Sequence, residues 1–401
     1  MKIAVYHNLP SGGGKRALFE MTRRLAGRHE VDVYTLATAE HDFCDLRPYA
    51  GRHVVWPFQP LPLARPPFGR LNQGIRSADL RRLDTLQRQI AAQIDGDGYA
   101  VVFAHNCQFS QSPGLLKYLR TPSVYYCAEP PRLLYEPPAE RPYNRFSKAQ
   151  DLGNRFDPLP GLYRRTLRRL DRDNVRAASI VLVNSHYSRE TLFRTYGIFA
   201  HVGRLGVDSE RFRPLGLEKQ QRVISVGALT PRKGFDWVIA GLARIEAGQR
   251  PALTIVSNFT DRAEKGYLQE LARRGAVEVE FRAGVSDDEL VASYNRALLT
   301  VYAPVMEPFG FVPLESMACG TPVVGVREAG VRETIVHEAT GLLVERDPGR
   351  FAAAIAGLAS DPGRRASLGQ QGRAYVQAEW SWDRSVQAVE SHLSRAAYRR
   401  P

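Results

Sequence analysis

Residues 303–326 read APVMEPFGFVPLESMACGTPVVGV, and their pattern decides the fold. The apolar run LLTVYA (298–303) leads into this block and TPVVGV (321–326) closes it. A strand, a loop, a short helix and a second strand are therefore expected in succession. The spacing predicts a helix from about 310 to 319, opened by Gly310, whose free N–H groups would face an anion such as phosphate. Glu307 would project from the loop at the strand end, and Glu315 would sit two turns into the helix. The two carboxylates could then accept hydroxyls at different depths. Phe309, Phe311, Val312, Leu314, Met317, Ala318 and Cys319 fill the segment between and beyond them, which argues against glutamates bathed in solvent.

Outward from this block, short apolar runs alternate with segments of helical period. RVISVG (222–227), ALTIVS (252–257) and VEVEF (277–281) precede it. In the first half lie KIAVY (2–6), VDVYTL (31–36), AVVFA (100–104), PSVYYC (122–127) and SIVLVN (179–184), with a helical stretch at 14–27. Runs of five or six apolar residues between helices indicate parallel sheets covered on both faces. Two such series imply an α/β chain of two doubly wound domains, joined near 204–221. A last helix is expected over 382–398, with Val386, Val389, Leu393 and Ala396 on one face. Open α/β sheets bind ligands beyond the carboxyl ends of their strands, so the residues just after strands carry the chemistry.

Three more strand ends qualify. NLPSGGGKRA follows the first strand, and Gly12, Gly13, Gly14 and Ala17 satisfy G-x-G-x-x-A, the dinucleotide fingerprint. Two features oppose a nicotinamide oxidoreductase. Five residues separate the run 2–6 from Gly12, where a tight turn is needed, and the strand 31–36 ends in Thr35 and Leu36 with no acid for a ribose. The triplet still suits close approach of a ligand to a helix N-terminus. In VGALTPRKG (226–234), Lys233 is placed to reach a diphosphate with its ammonium. In VVFAHNCQFS, His105 ends a strand of the first domain and faces the other.

Composition bounds the partners. At 401 residues, with roughly 150 per domain, two or three domains are expected. The net charge of +13 is uneven: residues 1–205 hold 30 Lys and Arg against 18 Asp and Glu, whereas residues 206–401 hold 25 against 24. The basic half therefore faces something anionic. Residues 141–176 carry ten Lys and Arg against four Asp, and Arg164, Arg165, Arg168, Arg169, Arg172 and Arg176 recur at helical spacing. A solvated face and an anionic lipid or lipid-diphosphate partner both fit that pattern. No aromatic-and-basic platform for nucleic acid is visible. Cys44, Cys107, Cys127 and Cys319 show neither metal spacing nor a disulfide framework. No apolar run approaches the ~20 residues of a membrane span, and the start lacks a signal-peptide core. The expected location is the cytoplasm, peripherally at the inner face of the plasma membrane.

Together these motifs resemble the retaining glycosyltransferases of GT-B fold, family 4 type. The likeness also draws on HEVDVYTL (29–36), VNSHYSRETL (183–192), GVDSERFRP (206–214), GVSDDELVASY (284–294), EAGVRETI (328–335), TGLLV (340–344) and WSWDRSV (380–386). The resemblance implies two facing Rossmann-like domains: an acceptor-binding domain over 1–205 and a donor-nucleotide domain over 206–378. Residues 379–401 would cross back onto the first. It implies that Glu307 binds hydroxyls of the donor sugar, Glu315 the ribose, and Lys233 the diphosphate, with backbone N–H groups around Phe309, Gly310 and Phe311. His105 would lie near the anomeric centre or outer hydroxyls, while Gly13 and Gly14 admit phosphate or acceptor. Gly227 would belong to the same donor site.

The family usually has Arg directly after that glycine. Here the position is Ala228, and Arg232 is a candidate substitute. Ala329 is a second departure, at a place where glycine is common. YYCAEPPRLLYE (125–136) looks like mannosyltransferase segments, with Ala128 and Glu129 where those often have His and Thr. The implied partners are a nucleotide-diphosphate sugar, either GDP-mannose or a UDP-sugar, and a glycan or lipid-linked acceptor. No cofactor or metal is expected, because no Asp-x-Asp is placed to hold one. The alternatives are a weak or inactive sugar-nucleotide binder and the nicotinamide oxidoreductase.

Overall fold

The computed structural model describes residues 1–65, 68–137, 139–144, 158–258 and 261–398. Residues 145–157 of the basic segment lie outside this set. Two parallel sheets are present, and each reverses its strand order in the middle. The first contains β1 (Lys2–Asn8), β2 (Glu30–Leu36), β3 (His53–Trp56), β4 (Val101–Cys107), β5 (Ser123–Tyr126), β6 (Ile180–Val183) and β7 (His201–Val202), in the order β3-β2-β1-β4-β5-β6-β7. The second contains β8 (Arg222–Val226), β9 (Ala252–Ser257), β10 (Val279–Ala283), β11 (Thr300–Tyr302), β12 (Val323–Val326) and β13 (Gly341–Val344), in the order β10-β9-β8-β11-β12-β13. Ile3 of β1 pairs with Val31 on one side and Val101 on the other. Thr300 of β11 stands between Ile224 and Val323.

The local rules are visible in the elements. In β1 every residue after Lys2 is buried, as a strand covered on both faces requires. The helix Gly13–Ala26 buries Ala17, Leu18, Met21 and Leu25, one stripe at three- and four-residue spacing. Ser286 and Glu289 form a capping box that starts the helix Asp287–Arg296.

The two sheets share one apolar seam. Leu314, Met317 and Val323 of the second domain join Trp380, Trp382, Val386, Val389 and Leu393, and through them Leu18, Val5 and Phe103 of the first. The final helix, Trp382–Tyr398, thus packs back on the first domain. Its polar edge adds Ser385 Oγ donating to the Arg204 carbonyl at 2.6 Å and an Arg24–Asp383 ion pair at 2.8 Å. Gly206 marks the crossing, since a Cβ there would lie 2.5 Å from the Trp382 nitrogen. Among the described residues no helix is long and apolar enough to cross a membrane.

Several boundaries differ from those read in sequence. β1 continues to Asn8, so only Leu9, Pro10 and Ser11 separate it from Gly12, and that objection to a dinucleotide turn falls away. β10 begins at Val279, because the Val277 N–H is taken by the Ala272 carbonyl closing the preceding helix. Three strands have no counterpart among the apolar runs: β3 and β13 have only four residues and β7 two, too short to carry a period.

Candidate active site

The switch points of the two sheets face each other across a cleft of about 720 Å³. On the first domain the cleft meets the loop after β1, the end of β4 and the loops after β5 and β6. On the second it meets the loops after β8 and β11. The glycine loop lies against the opposite domain: a Cβ on Gly13 would stand 3.4 Å from the Phe311 ring. Gly14 is less constrained, with Leu9 its nearest neighbour at 3.9 Å.

Glu307 follows β11, and its Oε2 accepts a hydrogen bond from Lys233 Nζ at 2.7 Å. The pair is mostly shielded, with side-chain exposures of 16% and 26%. Burial alone would raise the Glu307 pKa; the Lys233 ammonium and, further off, Arg132 outweigh it, so the carboxyl titrates below its usual range. Two glycines place Lys233. Gly227 has φ +155°, and a Cβ on it would sit 3.2 Å from the Lys233 stem that crosses it. Gly234, at φ +67°, turns the chain where a Cβ would strike the Ala303 carbonyl oxygen.

The helix predicted from 310 runs Phe311–Ala318, with Gly310 as its N-cap at φ +100°. Its first N–H groups have no acceptor within the helix and open at the cleft, beside Phe309, Gly310 and Phe311. Glu315 is 8% exposed and accepts from Tyr294 Oη at 3.0 Å. Burial raises its pKa despite the positive charge of Arg16 and the Tyr294 bond. Arg16, from the first domain, forks onto Asp287 of the second at 2.7 and 3.0 Å.

His105, on β4, also lines the cleft. Its ring stacks on Tyr126, with centroids 5.3 Å apart and planes 11° apart. Burial, reinforced by Lys15, pulls its pKa down to about 3. The imidazole is therefore neutral at ordinary pH, and among the described residues its buried Nε2 has no hydrogen-bond partner.

Known protein families match both halves of the chain. The profile described as "Glycosyl transferase 4-like domain" matches residues 12–207, and that of "Glycosyl transferases group 1" matches residues 207–375. A GDP-mannose-dependent alpha-(1-6)-phosphatidylinositol monomannoside mannosyltransferase of Mycolicibacterium smegmatis is 31% identical, over 65% of this chain and 73% of that protein. The chain belongs to the group 1 glycosyl transferases. The protein of the same description from Mycobacterium tuberculosis is 34% identical over 51% of this chain, which spans 58% of that relative's length. Sucrose-phosphate synthase from Thermosynechococcus elongatus superposes with a TM-score of 0.74 at 21% identity, covering 98% of both chains. The GT-B architecture is thereby shown.

Within this group 1 glycosyl transferase, one candidate is misplaced. Arg232 does not line the cleft. It forms an ion pair with Glu136 and donates to the Pro137 carbonyl at 3.0 Å, so it bridges the domains outside the site. Although adjacent in sequence, Arg232 and Lys233 diverge because the 3-10 turn Pro231–Lys233 sends them apart. Ala228 does line the cleft, and among the described residues the guanidinium that also lines it, Arg16, is engaged by Asp287.

The sequence motifs also omit Glu129 and Arg16, which line the cleft, and Arg132, which holds Glu129. Glu129 lines the cleft from the loop after β5 and accepts from Arg132 Nε at 2.5 Å. Arg132 in turn donates to the Val305 and Met306 carbonyls at 3.2 and 3.0 Å, beside Glu307. Burial raises the Glu129 pKa; Arg132 opposes this, and the Glu307 charge adds to it. The one available signal was the departure of Ala128–Glu129 from the mannosyltransferase-like pattern.

Proposed function

We propose that the protein transfers a sugar from a nucleotide-diphosphate donor to a hydroxyl of a lipid-linked or glycan acceptor, with retention of anomeric configuration. The observation that carries this reading is the facing arrangement of the Lys233–Glu307 pair, the open N-terminus of helix Phe311–Ala318, and Glu315. Lys233 and the helix N–H groups meet a diphosphate, Glu315 accepts ribose hydroxyls, and Glu307 accepts hydroxyls of the donor sugar. His105, being neutral, serves as a hydrogen-bond partner to the sugar rather than as a proton carrier. GDP-mannose is the first donor to test, because the mycobacterial relatives are named as GDP-mannose-dependent and act on a phosphatidylinositol mannoside.

In the proposed reaction the bond from the anomeric carbon to the diphosphate oxygen breaks as the acceptor oxygen bonds on the same face. The acceptor proton passes to the departing phosphate oxygen. The developing negative charge is met by Lys233 and fixed N–H dipoles, an arrangement that calls on no metal ion. Ala228 favours a slower enzyme, since one charged hydrogen bond to the diphosphate is absent. Acceptor delivery from an anionic membrane surface at the inner face of the plasma membrane is supported by helix Pro158–Ala177. That helix exposes Arg164, Arg165, Arg169 and Arg172, while Arg168 also holds the Leu134 carbonyl at 3.0 Å.

The test is a panel of GDP-, UDP- and ADP-sugars scored for binding and slow hydrolysis, with the anomer of the transferred sugar read by NMR. Thermal stabilisation by NAD(P) alone, or an inverted product, would defeat the reading. Binding without turnover would favour the inactive binder. Liposome co-sedimentation that ignores anionic lipid content would remove the membrane part.

A further inference from the structure

Beside the cleft, on the first domain, the protein holds a second cavity of about 500 Å³. Its wall is apolar, from Phe58, Leu63, Phe109, Leu134, Tyr163 and Leu167. Leu63 remains 49% exposed and Leu133, also in the wall, 86% exposed, so hydrocarbon at the mouth is left in water. Apolar surface of this kind on a folded domain marks a binding site, and the volume lies within the roughly 300–1,000 Å³ of small-molecule sites.

The polar groups at this cavity narrow its ligand. Arg76 and Arg164 line it, and among the described residues neither has a carboxylate or carbonyl partner. Asp79, which also lines it, is already taken by Arg82 at 2.7 Å and the Leu61 N–H at 3.0 Å. Gln73 lines it too, and its amide oxygen is shielded from solvent with no donor among the described residues. An apolar bore, two unpaired guanidinium groups and an unused acceptor fit a ligand with a hydrocarbon tail, an anionic phosphate and a hydroxyl.

The position ties this cavity to the cleft. Two chain segments serve both: the end of β4 lends Asn106 to the cleft and the loop after it Phe109 to the cavity, while the loop after β5 lends Glu129 to the cleft and the short helix Arg132–Tyr135 that follows lends Leu133 to the cavity. We propose that the cavity holds an acyl chain of an anionic phospholipid, its phosphate on Arg76 and Arg164, so that a hydroxyl of the lipid head reaches the cleft. This rests on the lipid-acceptor reading above for its purpose, while the chain-binding site stands on the cavity itself.

The experiment uses the whole protein and 1-palmitoyl-lysophosphatidylglycerol below its micelle concentration, followed by titration calorimetry. Lysophosphatidylcholine tests the charge and glycerol 3-phosphate the chain. The first lipid should bind at least tenfold more tightly than either. Leu167→Glu, which puts a carboxylate in the bore, and the double exposed variant Arg76→Ala/Arg164→Ala should each weaken it at least fivefold. Nucleotide-induced thermal stabilisation, read at the cleft, reports that each variant is folded. Affinity for glycerol 3-phosphate equal to that for the lipid overturns the proposal, as does undiminished lipid binding in both folded variants. A dimer that forms through this face and binds no lipid does so too. If the lipid binds and no nucleotide sugar is bound or hydrolysed, the transferase reading fails and the cavity assignment stands. Donor turnover with no contribution from the chain gives the converse.

Discussion

Lys233→Met and Glu307→Gln, made singly and together, separate what their ion pair does for folding from what it does for transfer. The charges meet at 2.7 Å with side chains 26% and 16% exposed, so each relies on the other for solvation. Removing one partner of a buried pair costs about 3–5 kcal/mol, and partial exposure here brings the expectation nearer ~2 kcal/mol. In Lys233→Met the Glu307 carboxyl keeps its burial and only Arg132 as a cation, so its pKa should rise. With the pKa depressed, the pair stabilises the fold above the ordinary carboxylate range and that stability is lost as pH falls through the folded value; in the variant burial dominates, the sign reverses, and stability falls as pH rises through the carboxylate range. The double variant removes both charges and should regain about half of the lost stability. Transfer should behave differently. Loss of a charged hydrogen bond to the diphosphate, about 2–3 kcal/mol, corresponds to a rate about 30- to 150-fold lower, and the second substitution returns none of it. Urea unfolding and nucleotide release from GDP-mannose read the two effects. A double variant no more stable than Lys233→Met, or one whose activity recovers with its stability, refutes the reasoning.

Four further outcomes are expected. His105 is held neutral, so wild type and His105→Asn should share the shape of their pH–rate profiles between pH 5 and 8 while the variant is at least ~10-fold slower; a wild-type limb near pH 6.5 that disappears in the variant would contradict this. Gly13→Val should push into Phe311 and weaken nucleotide-sugar binding, whereas Gly14→Ala, inside a helix with nothing nearer than 3.9 Å, should stabilise by about 0.5–1 kcal/mol, as thermal and binding titrations would show. Burial pulls Lys15 from 10.5 down to about 8, so between those values the unfolded chain holds a proton that the folded protein lacks and stability should rise with pH by roughly 3 kcal/mol. Lys219 is similarly depressed to about 8, so Lys15→Met should remove about half of the combined rise, measured by urea unfolding at pH 7 and 10. Glu129→Gln should raise the acceptor KM while leaving donor hydrolysis by water unchanged; a fall in hydrolysis instead would place Glu129 on the donor.

Much of the architecture was legible because strands covered on both faces read as unbroken apolar runs, and ten such runs correspond to strands of the two sheets. The strand-end rule then pointed to Gly13, His105, Lys233, Glu307, Gly310 and Glu315, which the fold brings to one cleft. Arg232 shows where adjacency misleads, since a single 3-10 turn separates it from Lys233 in direction. Glu129, Arg132 and Arg16 show what periodicity omits. An isolated charge in a loop has no pattern, and its partner is remote: Arg16 meets Asp287 across 271 residues and Arg132 meets Met306 across 174.

The sequence by itself determined the class of fold, the helix opened by Gly310 and the spacing of its two glutamates, because helix, strand and cap are set by residues near one another in the chain. Tertiary structure alone decided which cations remain in the cleft, that His105 is neutral, and that an apolar cavity with two arginines unpaired among the described residues adjoins the cleft. Those properties depend on burial and on charges brought together from distant segments, and burial is a property of the packed molecule.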